Sequence, residues 1–301
     1  MIEWKKPVIT DGAWIRPLVE DEKLKSNDLS FANMYLLRDK HKIEIATLED
    51  GTLLRFYDGK YGRVGYGFPI GMTYETSLAK VVNLLKKDAY ERGIDFKFIL
   101  VTEEQRNRIE YEMPGRFKYE TTQDDSDYIY LSENLAKLEG PDYHKKRTNV
   151  NKFENFCPDY ELVELDETNY KDAIRVAKIW VDEHGETEEQ YVGELANIKE
   201  AIKNMDELGL IGAILYVNDK PVGMTVASSI TSQTADIHFE KVIGSIAING
   251  GFQAINKLFA EKLHNMGYIY LNREEDLGIE GLRKAKESYR PTIMLDKYSA
   301  Y

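Results

Sequence analysis

Two polar clusters follow apolar segments in the last quarter of the chain. One is the Glu240-Lys241 pair, which ends the segment TADIHFEKV, and the other is the run NREED (272–276), which follows YIYLN. Acyl transfer needs a group that accepts a proton from the attacking amine or hydroxyl, and a donor that stabilises the developing oxyanion. Glu240 is the candidate for the first role, Lys241 is the candidate for the second role or for phosphate binding, and Asn272 completes the candidate catalytic set. The alternative is a solvated pair at a strand end.

The run NREED also carries candidate substrate-binding groups. Asn272 and Arg273 are predicted to hold the substrate, while Glu275 or Asp276 binds an amine or a lysine-like aminoacyl group. The competing interpretation of Asp276 is structural, because Asp is a preferred helix N-cap and a second short helix, IEGLRKAKESY, follows it. Lys286 on that helix is a candidate phosphate contact, or else a salt-bridge partner of these acids.

A glycine-bearing segment, IGSIAINGG, lies between the first cluster and a predicted amphipathic helix. A glycine turn before a helix favours an anion, since the N–H groups of the first helical turn and the helix dipole both attract negative charge. The segment therefore predicts a cofactor-binding cradle made by Gly244, Asn249, Gly250 and Gly251. The alternative is that Gly250 and Gly251 only allow a turn or close packing.

The cluster His144-Lys145-Lys146-Arg147 is basic in a chain whose net charge is −12. Because such a chain repels nucleic acid at long range, attraction to tRNA, pyrophosphate or a lipid headgroup must come from a local patch. Arg147 is the candidate substrate contact in this cluster, and a solvated helix face is the alternative. The sequence has no HxxxH and no His/Cys spacing, so it predicts no metal site.

Apolar periodicity outlines the elements that must position these residues. Residues 31–57 are predicted to be extended, with hairpin turns at Asp50-Gly51 and Asp58-Gly59. Another hairpin is predicted through Asn218. Helical spacing predicts helices within residues 73–93, 103–113, 142–156, 169–185, 187–209 and 252–267.

The order of these elements predicts the fold class and the domains. The second half has the element order of a GNAT acyltransferase, and the first half fits a decayed version of the same plan. The prediction is therefore an α/β protein with mixed sheets in two tandem GNAT-like domains. The N-terminal domain is predicted at 1–131, a linking helical segment at 132–157, and a C-terminal domain that carries the active site at 158–301.

Four stretches resemble a known family: YHKKRTNVNKF, HFEK, GGFQAIN and NREEDLGIEGLRKAKESYRP. They resemble the C-terminal catalytic domain of phosphatidylglycerol lysyltransferases and its stand-alone relatives, which are similar in turn to the Fem aminoacyltransferases. The resemblance implies transfer of an aminoacyl group from tRNA. The glycine pattern of acetyl-CoA-using GNAT proteins is met at Gly244 but not at Ile246, which leaves acyl-CoA as the other donor. A non-catalytic binding module that keeps the fold is the alternative function.

Composition limits the compartment and the partners. The 301 residues include one cysteine, which excludes an intramolecular disulfide, and no apolar run approaches the ~20 residues of a membrane span. The N-terminus is too polar for a signal peptide. The sequence thus predicts a cytoplasmic protein without an integral membrane segment or a tightly bound cofactor. Its expected partners are a small-molecule or aminoacyl donor and a candidate tRNA, and its oligomeric state stays open.

Overall fold

A computed structural model describes residues 2–59, 63–73, 76–185 and 189–301. It divides into two compact units. The first contains Met1–Asp127, Glu275–Arg283 and Met294–Tyr301, and the second contains Tyr128–Glu274 and Lys284–Ile293. These units differ from the predicted domain ranges in two respects: the second unit includes the predicted linking segment, and the first unit includes two pieces from the end of the chain.

The described residues form thirteen strands in two mixed sheets. The strands are β1 (Glu44–Thr47), β2 (Leu53–Asp58), β3 (Val64–Tyr66), β4 (Phe98–Val101), β5 (Tyr119–Thr121), β6 (Asp127–Leu131), β7 (Tyr160–Glu164), β8 (Leu210–Val217), β9 (Lys220–Thr231), β10 (Thr234–Val242), β11 (Tyr270–Asn272), β12 (Ile293–Leu295) and β13 (Tyr298–Ala300). One sheet has the order β1-β2-β3-β4-β13-β5 and the other β12-β6-β11-β10-β9-β8-β7.

Twelve α-helices are described alongside these strands. They are α1 (Gly12–Glu22), α2 (Phe31–Leu36), α3 (Leu78–Arg92), α4 (Glu103–Glu112), α5 (Ser132–Lys137), α6 (His144–Phe156), α7 (Tyr170–His184), α8 (Glu189–Lys203), α9 (Met205–Leu208), α10 (Gly244–Ile246), α11 (Phe252–Asn265) and α12 (Glu280–Glu287). Short 3₁₀ turns occupy Ile9–Asp11, Asn27–Leu29 and Gln123–Asp125, and a π-helical turn occupies Ala247–Gly251. The helices and mixed sheets confirm the predicted α/β class.

The first unit contains the predicted hairpins and one error. β1 pairs antiparallel with β2 around Asp50-Gly51, and β2 pairs antiparallel with β3 after Asp58, as predicted. The prediction that residues 31–57 are extended throughout is wrong, because α2 is a helix. The side chain of Ser30 caps α2 by accepting a hydrogen bond from the Asn33 N–H. All six residues of α2 are buried, so its sequence has no polar face that could have revealed the helical period.

Most of the second unit follows the predicted pattern. β8 and β9 form the predicted hairpin, with Asn218 and Asp219 both at positive φ, and α11 begins at the predicted Phe252. The helix predicted over 187–209 is two helices, α8 and α9, which are separated at Asn204. Its first two residues, 187 and 188, lie outside the described residues.

The central parallel strands of the second unit stay together over only three residues. β10 pairs with β11 from Thr234 to Asp236, and β11 then ends at Asn272 while β10 continues to Val242. The backbone of β10 therefore has no β11 partner beyond Asp236. Both predicted polar clusters lie at or beyond this point of separation.

Candidate functional site

A β-bulge at His238 turns the end of β10. Ile237 pairs with Ala227 and Glu240 pairs with Thr225, so three steps along β10 span two steps along β9. Because side chains alternate between faces, Glu240 shares the face of Ile237. Strict alternation without the bulge would have put Glu240 on the opposite face.

Glu240 is held between two polar side chains on that face. Arg273, which directly follows β11, donates from Nη2 to Glu240 Oε1 at 3.1 Å. Asn256 on α11 donates from Nδ2 to Glu240 Oε2 at 3.0 Å. The structure therefore brings together two predicted site residues, Glu240 and Arg273, and adds Asn256, which no sequence motif had indicated.

Two polar atoms of this group have no hydrogen-bond partner among the described residues. They are Nη1 of Arg273 and Oδ1 of Asn256, and both atoms are buried. A buried donor or acceptor without a partner costs about 1–3 kcal/mol. One donor and one acceptor beside a carboxylate are what a bound carbonyl and a bound amine or hydroxyl would satisfy.

Lys146 on α6 belongs to the same neighbourhood. Its Nζ donates to Ser288 Oγ at 2.6 Å and lies 3.6 Å from the centre of the Tyr289 ring. The guanidinium of Arg273 lies 5.0 Å from the centre of the same ring. Burial and the nearby charge of Arg273 together lower the pKa of Lys146 to about 8, although Glu240 opposes the shift. Lys146 is therefore the lysine of the basic cluster that sequence reasoning should have separated from its neighbours.

The other basic residues of that cluster have different surroundings. The candidate substrate contact Arg147 donates from Nη1 to the carbonyl oxygens of Leu138 and Gly140. His144 and Lys145 are exposed. The cluster is thus not one continuous basic patch, because Lys146 is buried and Arg147 braces a turn.

The residues of NREED point to separate environments because the backbone turns within the run. Glu274 has a left-handed φ of 57°, and its N–H donates to Oδ1 of Asn272 at 2.7 Å. Lys286 donates from Nζ to the carbonyl oxygen of Glu274 at 3.0 Å. Asn272 is fully buried. Asn272 and Lys286 therefore fix the turn that directs Arg273 towards Glu240. Asn272 was a candidate catalytic residue and Lys286 a candidate phosphate contact.

The two remaining acids of the run belong to ion pairs of the first unit. Asp276 accepts two hydrogen bonds from Arg283, both at 2.8 Å, and one from the Gly278 N–H. These contacts are structural, but they do not make Asp276 the N-cap of α12, which begins at Glu280. Glu275 pairs with Lys297 at 2.8 Å and with Arg63 at 2.9 Å. Burial would raise the pKa of Glu275, but these two cations hold it well below its usual range.

Lys241 and the glycine segment lie apart from Glu240. Lys241 pairs with Glu194 at 2.7 Å and lies 3.7 Å from the centre of the Trp180 ring. The Gly244 N–H donates to both carboxylate oxygens of Glu183, at 3.0 and 3.1 Å. The predicted anion cradle thus has one amide that binds a carboxylate of the protein itself.

The rest of the glycine segment is packed. A Cβ added at Gly250 would lie 2.0 Å from the carbonyl oxygen of Asn149, and one at Gly251 would lie 2.7 Å from Ile246. Asn249 donates from Nδ2 to the carbonyl oxygen of Ser245. The backbone kinks at Asn249 and at Gly250, whose φ is 92°, before α11 begins. These contacts favour the packing interpretation of Gly250 and Gly251.

Two further features of the second unit bear on binding. An open surface cavity of about 590 Å³ does not include Glu240 or Arg273, and it is lined by Thr148, Asn151, Lys152, Asn155, Phe156 and Asn249. Asp236, His238 and Glu274 bring metal-ligating atoms within 4.8 Å of one another. The prediction of no metal site considered only local spacing, which does not encode this group, because Glu274 is 36 residues from His238 along the chain.

The comparisons with known proteins point to one family. Residues 21–301 match the family model described as "Phosphatidylglycerol lysyltransferase, C-terminal". A crystal structure of a conserved protein of unknown function from Bacteroides thetaiotaomicron is 33% identical. It has a TM-score of 0.91, and the alignment covers 100% of this chain and 99% of that one.

Two more distant structures share the fold. L-PGS from Bacillus licheniformis has a TM-score of 0.65 at 17% identity, with 95% of this chain and 90% of that chain covered. FemX has a TM-score of 0.61 at 9% identity, with 99% and 97% covered. These likenesses confirm the predicted GNAT-like and Fem-like fold class. No curated protein matches the sequence significantly. None of the described helices combines the length and the apolar content that crossing a bilayer requires.

Proposed function

The chain belongs to the family of phosphatidylglycerol lysyltransferase C-terminal domains, and we propose that it transfers an aminoacyl group from an aminoacyl-tRNA to an amine or hydroxyl acceptor. The reaction is assigned to the second unit, where β10 and β11 separate. The observation that carries the proposal is the buried Arg273 guanidinium. One of its nitrogens is fixed by Glu240, and the other has no partner among the described residues.

Arg273 suits the role of oxyanion donor. When an amine or hydroxyl attacks the ester carbonyl of an aminoacyl group, the carbonyl oxygen becomes negative. A buried guanidinium is always charged, and a pre-positioned donor needs no reorganisation as that charge develops. The free Nη1 of Arg273 would donate to this oxygen. Removal of one such donor typically lowers kcat by about 10²–10³-fold.

Glu240 is assigned a positioning role. Both of its carboxylate oxygens accept hydrogen bonds, one from Arg273 and one from Asn256. These contacts hold the guanidinium and the amide in one orientation. Such positioning raises the rate of transfer, because a small misplacement of the reacting groups slows the reaction. The unpartnered Oδ1 of Asn256 would accept a hydrogen bond from the attacking amine or hydroxyl.

Lys146 is assigned the role of proton acceptor. It is buried beside Tyr289, and so it reaches the same ring that Arg273 contacts. Burial and Arg273 lower the pKa of Lys146 to about 8, so part of the population is neutral near physiological pH. An amine in this range is a better general base than an ordinary lysine, because its pKa is close to the working pH.

The aminoacyl donor is preferred to acyl-CoA for two reasons. The matched family is described as a lysyltransferase, which implies an aminoacyl group. The glycine segment would have to hold the CoA pyrophosphate, but its Gly244 amide already binds Glu183 and its Gly250 is packed against Asn149. Both contacts argue against a pyrophosphate in that segment.

The test is a transfer assay with both donors. The full chain is incubated with tRNA charged with labelled lysine and, separately, with labelled acetyl-CoA. Each donor is offered phosphatidylglycerol vesicles and a small primary amine as acceptors. We expect label on an acceptor with the charged tRNA and none with acetyl-CoA.

Two results would contradict the proposal. Transfer from acetyl-CoA alone would show that the donor is an acyl-CoA. The Gly244 segment would then have to rearrange to hold the pyrophosphate. Failure of the wild-type chain to bind or consume either donor would favour a binding module that keeps the fold without the reaction.

A further inference from the structure

Three metal-ligating side chains converge at a second place in the second unit, around the bulge of β10. Asp236 and His238 lie on β10, and Glu274 lies two residues beyond β11. The proposed transfer reaction uses none of these side chains. We propose that Asp236, His238 and Glu274 bind a divalent transition-metal ion of the zinc class, which ties β10 to the segment after β11.

Both distances from the ring nitrogen of His238 to the carboxylates fit a shared ion. His238 Nδ1 lies 3.5 Å from Asp236 Oδ2 and 3.4 Å from Glu274 Oε1. An ordinary N–H···O hydrogen bond measures about 2.9 Å. Two ligands that are each bound at about 2.0–2.1 Å to one tetrahedral zinc ion lie about 3.3 Å apart. The observed separations are therefore long for hydrogen bonds and suitable for two ligands of one ion.

Ser228 contacts the ring nitrogen of His238 that faces away from the carboxylates. Its Oγ lies 2.8 Å from His238 Nε2, the ring nitrogen that does not face the acids. When Nε2–H donates to this hydroxyl, Nδ1 keeps its lone pair on the side of Asp236 and Glu274. Metal-ligating histidines are commonly fixed in this way by a hydrogen bond from the other ring nitrogen.

Charge also favours a cation at this group. With Nδ1 unprotonated, the three facing atoms are one neutral nitrogen and two anionic oxygens, which all accept and none donates. Asp236 is fully buried. A divalent ion would balance the negative charges of both carboxylates.

The site is rigid at one ligand and open at its edge. The backbone of Glu274 is fixed in its left-handed conformation by Asn272 and Lys286. The side chain of Glu274 is 27% exposed, whereas that of His238 is 2% exposed, so an ion would enter past Glu274. A histidine with two carboxylates suits Zn²⁺ or Mn²⁺ better than Mg²⁺ or Ca²⁺, which prefer all-oxygen sites.

The test measures metal binding directly. The full chain is stripped with a chelator and titrated with ZnCl₂ by calorimetry and with CoCl₂ by visible absorption. We expect one ion per chain and visible absorption bands of the kind that tetrahedral Co²⁺ gives. We also expect a higher melting temperature in the presence of Zn²⁺, because an ion that binds only the folded chain stabilises it.

Three variants assign the ion to these residues. His238→Gln should abolish binding. Ser228→Ala keeps all three ligands and should weaken binding by about 10–100-fold, the usual effect of removing a partner that orients a ligand. His264→Gln is the matched control, because His264 is hydrogen-bonded to Ser132 in the same unit, and it should keep the wild-type affinity.

Several outcomes would overturn the proposal. The proposal is overturned if the wild-type chain binds neither Zn²⁺ nor Co²⁺ at high micromolar concentration, and this result does not depend on whether the variants fold. A His238→Gln variant with the wild-type circular dichroism spectrum and the wild-type affinity would also overturn it. Unchanged affinity in Ser228→Ala would overturn the assignment of Nδ1 as the ligand atom.

Discussion

Each unit buries a cluster of charged side chains, and the two clusters differ in how well their charges are matched. In the first unit, Lys297 Nζ lies 2.6 Å from Asp28, 2.7 Å from Asp127 and 2.8 Å from Glu275. In the second unit, Arg273 pairs with one carboxylate and keeps an unpartnered nitrogen among the described residues. The cation of the first cluster is therefore fully paired, whereas the cation of the second cluster has one nitrogen that could still bind a ligand.

The pKa shifts of the two lysines express the same difference. Burial would lower the pKa of Lys297, but the three carboxylates raise it well above its usual value. Burial and the charge of Arg273 together lower the pKa of Lys146 to about 8. A lysine locked in its charged form is suited to holding a fold together. A lysine that titrates near neutral pH is suited to proton transfer.

The largest expected effect is on the stability of the first unit. Lys297→Met removes the cation from the buried Asp127 and Glu275 and the largely buried Asp28, so the free energy of unfolding should fall by about 3–5 kcal/mol, the usual cost of breaking a buried ion pair. Urea unfolding measures the change. Lys262→Met is the control, because Lys262 forms an ion pair with the exposed Glu164, and its loss should cost about 0–1 kcal/mol. Equal effects of the two substitutions would contradict the ranking.

The matching substitution in the second unit should have the opposite profile. Lys146→Met removes a proton acceptor and should lower the rate of aminoacyl transfer by about 100-fold. The free energy of unfolding should change by about 1 kcal/mol or less, because the substitution removes one hydrogen bond to Ser288 but also removes a buried charge. The transfer assay and urea unfolding are run on the same preparation. A loss of stability as large as that of Lys297→Met would assign Lys146 to the fold.

The pH profile of transfer sharpens the assignment of Lys146. The neutral amine is the active form, and its pKa is lowered to about 8, so kcat/KM should rise as the pH approaches 8 and level off above it. The same shift has a sign for stability: the fold favours the neutral lysine, and this contribution is present above about pH 10.5 and is lost as the pH falls through 8. Lys146→Arg should show no rise in kcat/KM near pH 8, because arginine stays protonated. A profile that Lys146→Arg leaves unchanged would rule out Lys146 as the base.

A smaller effect is expected from the positioning carboxylate. Glu240→Gln still accepts from Arg273 but loses its charge, so stability should fall by about 1 kcal/mol. Transfer should slow by about tenfold, because the guanidinium is held less firmly. The measurement is kcat against KM, with the loss expected in kcat. A loss confined to KM would indicate that Glu240 contacts the bound substrate instead.

Local patterns were enough to predict the elements that carry the site. Turn residues predicted the hairpins at Asp50-Gly51 and Asn218, and apolar spacing predicted α11. The polar residues at the ends of β10 and β11 could be recognised as two clusters because each follows an apolar stretch of the sequence. The pairing of Glu240 with Arg273 follows from the neighbouring positions of those two strands in the sheet.

The remaining features depend on contacts that local spacing does not encode. The bulge at His238 changes the face of Glu240, and the left-handed turn at Glu274 separates the residues of NREED. Lys146 lies four residues before the buried Val150 on α6, so helical spacing could have indicated its burial but not its contact with Tyr289. Gly250 meets Asn149, which is about a hundred residues away, so the sequence could not distinguish a cradle from close packing.

The central claim is that the buried guanidinium of the second unit stabilises the transition state of aminoacyl transfer. The most direct test compares Arg273→Met with Arg290→Met, which removes an exposed arginine of the same unit, in single-turnover transfer from lysyl-tRNA. We expect a loss of about 10²–10³-fold for Arg273→Met and no change for Arg290→Met. A folded Arg273→Met variant that transfers at the wild-type rate would show that Arg273 is not the oxyanion donor.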